Sequence, residues 1–284
     1  MRCRLSHVVV CGVLLLAAVA VGVGTAVGQV AGAKLARIRV KEADWNAPRE
    51  NLEAVCRSAA EAIWREMPNR DIAPIIVGKT DGSPIVLYQR GPNGEYQVNI
   101  NVTGTYWAQC AFQFAHEFGH IWFNTRPGAN PQMWLEESLC ELASLYALRR
   151  MAEMWEENPP YVNWKSYAAN LRNYAEERIK AGKLEEGVTF AAWFEKERQT
   201  LQAKAHDRER NLVVAVQLLP LLEANPRGWQ ALAYLNRGKI EENETLERYL
   251  TAWHDRVPRV HQAFVREVAA QFDVKIAESA AQRQ

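Results

Sequence analysis

The chain has 284 residues, 48% of them hydrophobic and 24% charged, with 34 basic against 33 acidic side chains and a net charge of +1. So many apolar residues suffice for a packed core. The near balance of charge gives no electrostatic basis for holding nucleic acid or an acidic polymer, and neither is expected as a partner.

The first thirty residues differ from the rest. Arg2 and Arg4 precede an uncharged run over 8–27, followed by small residues at Gly28, Ala31 and Ala33. A basic start, an apolar middle and small residues at the end describe a secretory signal cut after Gly28 or Ala33. An uncut anchor is the competing assignment, since about twenty apolar residues can span a bilayer. The Gly and Ala content favours cleavage, which predicts a secreted or periplasmic protein without a stable membrane span. Loss of Arg2 and Arg4 would take the net charge from +1 to −1. Cys3 and Cys11 leave with that segment, and Cys56, Cys110 and Cys140 remain as an odd set at wide spacing, with no disulfide framework.

Apolar spacing predicts a helix over 46–67, stopped at Pro68. Short strands follow over 75–77, 85–88 and 96–102, the last two joined as a hairpin by Gly91-Pro92-Asn93-Gly94. In the last strand Tyr96, Val98, Ile100 and Val102 share one face and Gln97, Asn99 and Asn101 the other. After Thr105 the pattern is helical: 105–124, 131–155, 164–181, 188–223, 228–235, 245–257 and one from 260. The expected fold class is α+β, a small β-sheet with an N-terminal helix and a buried active-site helix, followed by a mostly α-helical C-terminal part. The expected division is 34–163 for the core and 164–284 for the helical subdomain.

The helix over 105–124 is apolar around most of its circumference, and no Lys, Arg or Asp occurs in it. Its polar side chains, Gln109, Gln113, His116, Glu117 and His120, form one narrow stripe, which on a buried helix marks a cleft. His116 and His120 lie four residues apart, about 40° apart around the axis, so both imidazoles can reach one ion. Glu117 is turned roughly 100° away and is placed to accept a proton from a water held by that ion. Two imidazoles suit Zn2+ better than calcium or magnesium, which take oxygen ligands.

A catalytic zinc needs a third protein ligand. Glu136, Glu137 and Glu141 compete for that place on the next helix. An antiparallel return brings Glu137 level with the histidines and makes it the favoured ligand. Glu141, four residues on, either accepts the other N–H of a ligand histidine or forms a surface ion pair. Glu136 is expected to point elsewhere, into solvent.

These residues resemble the gluzincin metallopeptidases, which pair H-E-x-x-H with a Glu on the following helix. Trp134-Leu135-Glu136-Glu137-Ser138 is similar to the W-L-N-E-G stretch of the zinc aminopeptidases, and Glu141 matches an acid that supports a histidine in the thermolysin-like branch. The likeness covers about 45 residues and implies a zincin-like fold, Zn2+ held by His116, His120 and Glu137, and hydrolysis of peptide or protein substrates with Glu117 as base. Two features depart from it. The spacer between His120 and Glu137 is two residues shorter than in the aminopeptidases, and their G-x-M-E-N motif is absent, so recognition of a free N-terminus is not expected.

In such enzymes the strand before the zinc helix borders the cleft, and an extended peptide pairs with its edge. Gln97, Asn99 and Asn101 would then face the site. Tyr161, Tyr167, Tyr174, His206 and Arg210 are the candidates for stabilising charge on the attacked carbonyl. Two other functions remain open on the same residues: a non-catalytic metal-binding or assembly protein, and a zinc hydrolase acting on another ester or amide.

Overall fold

The computed structural model describes Leu35 and residues 37–276; the expected signal segment, with Cys3 and Cys11, lies outside the described residues. Four strands form one mixed sheet in the order β1-β2-β4-β3: β1 (Ile38–Val40), β2 (Ile75–Lys79), β3 (Ile85–Leu87) and β4 (Tyr96–Ile100). β2 runs parallel to both β1 and β4, while β3 is antiparallel to β4, with Ile85 opposite Asn99 and Leu87 opposite Gln97. The hairpin is therefore present. Its turn closes through the Gly91 amide, which donates to the Glu95 carbonyl, and Gly94 takes the left-handed conformation that a side chain would resist. β1 is a strand that the apolar pattern does not announce, three residues long with only Ile38 and Val40 buried.

The expected alternation in β4 holds, with Val98 and Ile100 buried and Asn99 between them half-buried. α1 (Arg49–Trp64) and α2 (Trp107–Phe123) pack against the sheet. α3 (Met133–Glu157) is the central rod, touching α1, α2, α4 (Ala168–Ala181), α5 (Phe190–Ala203) and α6 (Arg208–Ala224). The fold is thus α+β, mostly helical, with a small sheet. The described stretches before and after residue 163 share one core and form a single unit. Among the described residues no helix is long and apolar enough to cross a membrane.

α2 is buried nearly all round, as its composition demands. Phe114, Phe118, Trp122 and Phe123 are all fully buried, each contributing on the order of 1.5–3 kcal/mol. Its C-terminus ends at Asn124 in the left-handed conformation, where the Asn124 side-chain Nδ2 donates to the Ala233 carbonyl at 2.7 Å. Trp122 Nε1 donates to the carbonyl of Trp229, in α7 (Gly228–Leu232), at 2.8 Å. The C-terminal helices, which also include α8 (Leu246–Arg256) and α9 (Arg259–Gln271), therefore hold the end of α2 in place.

The single helix expected over 188–223 is two helices, α5 and α6. Thr189 caps the first by accepting from the Ala192 amide, and Asp207 caps the second by accepting from the Arg210 amide. A buried Asp at that point outcompetes helix continuation, because its carboxylate satisfies a backbone donor that a new helix start leaves free. The break places His206 on a turn. Similarly, residues 162–167 form a 3-10 turn ahead of α4 rather than its first α-helical turn.

α2 and α3 lie close together at Gly119. A methyl group there would stand 3.0 Å from Cys140 Sγ and 3.2 Å from Cys140 Cα. Helix propensity alone favours Ala over Gly by about 1 kcal/mol, whereas crowding a packed interior costs about 1–3 kcal/mol. Gly119→Ala should therefore lower the melting temperature. A higher one would show slack between the two helices.

Candidate metal centre

α2 offers His116 and His120 on one face, and α3 returns antiparallel to set Glu137 against them. Glu137 Oε2 lies 3.2 Å from His116 Nε2, and Glu137 Oε1 lies 3.5 Å from His120 Nε2. Three donor groups thus converge from two helices whose spacing is fixed by the core. The two imidazole rings stand 5.3 Å apart, centroid to centroid.

The far side of each ring meets a carboxylate. Glu141 Oε2 lies 3.5 Å from His116 Nδ1, and Glu136 Oε1 lies 2.8 Å from His120 Nδ1. The expectation that Glu136 points into solvent is overturned: it is 1% exposed. Thr125 Oγ1 also donates to it, and Asn236 Nδ2 donates to its other oxygen at 2.7 Å. Tyr249 in turn donates to Asn236 at 2.8 Å. A buried carboxylate is tolerable only when its oxygens are satisfied, and here side chains from the loop after α2 and from residues a hundred positions downstream satisfy them. The outcome is a held His120 ring with Nε2 directed at Glu137.

A cleft of about 730 Å³ opens over these groups. Its floor carries Gln109, Phe112, Gln113, His116, Glu117 and His120 of α2, which is the polar stripe read from the sequence with one aromatic ring added. Residues 83–86 and Tyr88 line one side, and Tyr174, Arg178, His206 and Arg208 contribute the other. Glu117 is 4% exposed yet lines the cleft. Among the described residues it has neither a hydrogen-bond nor an ion-pair partner, whereas Glu137 and Glu141 both face imidazoles.

Several expected substrate contacts need correction. Asn99 and Asn101 do not line the cleft: Asn99 lies over Gly78 of β2, and Asn101 Nδ2 donates to the carbonyls of Asp81 and Gly82. β4 is paired on both sides, by β2 and β3, so the free sheet edge beside the cleft is β3. Of the five candidates for charge stabilisation, His206 and Tyr174 reach the cleft. His206 Nδ1 lies 3.1 Å from Glu137 Oε1 with its side chain 77% exposed. Tyr161 packs edge-on against Trp164, Tyr167 accepts from the Ala108 amide at the start of α2, and Arg210 is bound to Glu197 and Asp207.

Without an ion the cluster is a set of hydrogen-bonded ion pairs. Burial pulls the His116 imidazole down, but the carboxylates of Glu137, Glu141 and Glu117 outweigh it and lift it to about 10. Burial likewise opposes, and Glu136 and Glu137 overcome, so that His120 is also raised. Burial raises Glu137, yet His116, His120 and His206 together bring it down to about 2. Tyr88, at the end of β3, is raised by burial and then by Glu136 and Glu137, which marks it as facing the same charges.

His116, His120 and Cys140 also offer ligand atoms within 4.8 Å of one another. Burial, followed by the charges of Glu137, Glu136, Glu117 and Glu141, pushes the Cys140 thiol well up. A thiol binds metals as the thiolate, so Glu137, already ionised, is the better third donor. The donor set fits a divalent cation that takes nitrogen and oxygen ligands. Cys56 and Cys110 are buried as free thiols elsewhere in the core.

No protein-family model, curated protein or solved structure shows a significant match to the chain. Sequence reasoning missed Tyr88, Thr125, Arg178 and Asn236. Arg178, like Lys165 after Tyr161, is a cation spaced four residues after a candidate Tyr; the others carry no local signal.

The charges give a pH dependence with a definite sign. His116 is raised from 6.5, so its contribution to metal-free stability is full below pH 6.5 and lost as pH climbs through about 10. Glu137 is lowered from 4.5, so its contribution is full above pH 4.5 and lost as pH falls through about 2. The metal-free protein should melt highest between pH 4.5 and 6.5 as far as this cluster decides. A cation must displace the imidazole protons, so its binding at pH 7 should release protons and weaken as pH falls. Calorimetry in buffers of different ionisation enthalpy reads that release directly; a buffer-independent heat would contradict it.

Proposed function

We propose that the chain is an exported zinc-dependent metallopeptidase of gluzincin type, on a zincin-like fold, with His116, His120 and Glu137 holding Zn2+ and Glu117 acting as general base. The observation that carries this reading is the unpartnered, nearly buried carboxylate of Glu117 in the floor of the same cleft as the three converging donors. A site built only to hold a metal has no use for such a group, because it closes with four protein ligands.

Zinc, when bound there, supplies a Lewis acid that polarises a carbonyl and lowers the pKa of a water to about 7. The chain's own residues do the rest. Glu141 and Glu136 hold the two imidazoles in orientation through Nδ1, which supports their donor strength. An extended peptide adds to the free edge of β3, which places its backbone along the cleft. Glu117 takes the proton of the attacking water and passes it to the leaving amine. His206, beside Glu137 at the rim, is placed to donate to the oxygen on which charge develops, with Tyr88 opposite. The near burial of Glu117 keeps solvent from competing for that proton.

A second reading rests on one observation, the 3.1 Å approach of His206 to Glu137. As a fourth ligand, His206 would close the site and make it a metal-holding centre without turnover. His206→Ala separates the two. A closed site would lose zinc affinity steeply, while the catalytic reading expects zinc to stay near one per chain and turnover to fall.

The decisive variant is Glu117→Gln. Zinc content should remain near one per chain, and cleavage of an unfolded protein should drop on the order of 100-fold or more, the usual weight of a positioned base. Undiminished cleavage would remove Glu117 from the mechanism. Hydrolysis of esters or non-peptide amides with no peptide cleavage would move the substrate class instead.

A further inference from the structure

Beyond the metal ligands and Glu117, the cleft holds a cation that none of the proposed chemistry uses. Arg178, in the last turn of α4, lines the cleft and is partly buried. Its guanidinium stacks over Phe112, 4.7 Å from the ring centroid, and donates to the Tyr174 hydroxyl at 2.9 Å. Among the described residues it meets no carboxylate, although other charged residues of α4 are paired: Arg172 with Glu156, and Glu176 with Arg149 of α3. Arg208, also lining the cleft, is likewise without an ion pair among the described residues.

A partly buried guanidinium is costly to leave without a counter-charge. Here the ring of Phe112 and the Tyr174 hydroxyl fix it in place and leave most of its five N–H donors uncommitted. Such a held, planar donor array matches a carboxylate, which Arg binds in bidentate fashion. The acids already in the cleft do not serve: Glu137 and Glu141 face imidazoles, and Glu117, which also lines it, forms no ion pair with Arg178. Among the described residues none supplies its counter-ion, which leaves the place open to a ligand.

Its position follows from α2. Phe112 precedes His116 by one helical turn, about 6 Å along the axis. An extended peptide advances about 3.3–3.6 Å per residue, so a group on Arg178 lies roughly two residues from one at the histidines. We propose that Arg178 anchors a carboxylate of the substrate, about two residues from the bond that Glu117 serves, so that the cleft selects peptides carrying a negative group there. This rests on the metallopeptidase reading for the word substrate, and on geometry alone for the anchor. The carboxylate has two sources, the C-terminus of a short peptide or an acidic side chain within a longer one.

The test is a binding measurement that needs no turnover. Zinc-loaded Glu117→Gln protein is titrated with an uncharged hexapeptide in three forms: with a free C-terminal carboxylate, as the C-terminal amide, and as the amide with one internal Glu. At least one carboxylate form should bind on the order of 10-fold or more tighter than the neutral amide, the usual worth of hydrogen bonds to a charged group. Which form does so names the source. Arg178→Gln should erase the difference and Arg178→Lys should keep part of it, which separates loss of the anchor from loss of fold. Equal binding of all three forms, including no binding of any, overturns the proposal. So does a preference that survives Arg178→Gln, which would place the carboxylate on the metal. Turnover by the protein with Glu117 intact is scored apart: a carboxylate preference without cleavage would keep the anchor and remove the peptidase, and cleavage without preference would do the reverse.

Discussion

The meeting of two imidazoles and one carboxylate across the α2–α3 interface is the interaction on which the rest of the structure depends. Positive rings and a negative carboxylate attract strongly in a buried setting, and that attraction stabilises the pairing of two helices that the apolar core already favours. It also requires the helices to lie close. Gly119 meets that demand by presenting no side chain toward Cys140. The rings must further be kept from turning, and Glu136 and Glu141 do so from behind. The long path from Glu136 through Asn236 to Tyr249 then makes the C-terminal helices part of the site's foundation rather than an appendage.

This arrangement divides the molecule by rigidity. The floor of the cleft belongs to α2 and α3, packed by fully buried aromatic rings, and small changes there are felt as strain. Its walls are assembled from a sheet edge, a turn between two helices and the end of α4. Walls of this kind can change without disturbing the floor, and they carry selectivity. The proposed metal ligands and base thus sit on the floor, while the proposed charge-stabilising and substrate-selecting groups sit on the walls.

How much was legible in the sequence follows the same line. The polar stripe of α2 and the return of Glu137 were readable because both depend on local spacing and one short loop. The alternation of β4 was readable for the same reason. Glu136 was misread as solvated because its remaining partner, beyond His120 and Thr125, is Asn236 with the Tyr249 hydroxyl behind it, which no local pattern connects to it. Asn99 and Asn101 were expected at the site because strand order cannot be read from a hairpin; once β2 inserts beside β4, the free edge passes to β3. His206 was one of five equal candidates until the Asp207 cap broke the helix and brought the turn to Glu137.

The central claim is that His116, His120 and Glu137 together hold one divalent ion. Anomalous diffraction at the zinc edge, from crystals of the zinc-loaded protein, tests it most directly. One peak per chain is expected, about 2.0–2.2 Å from Nε2 of each histidine and from a Glu137 oxygen. No peak between α2 and α3, or a peak bound by Cys140 Sγ at about 2.3 Å in place of Glu137, would contradict it.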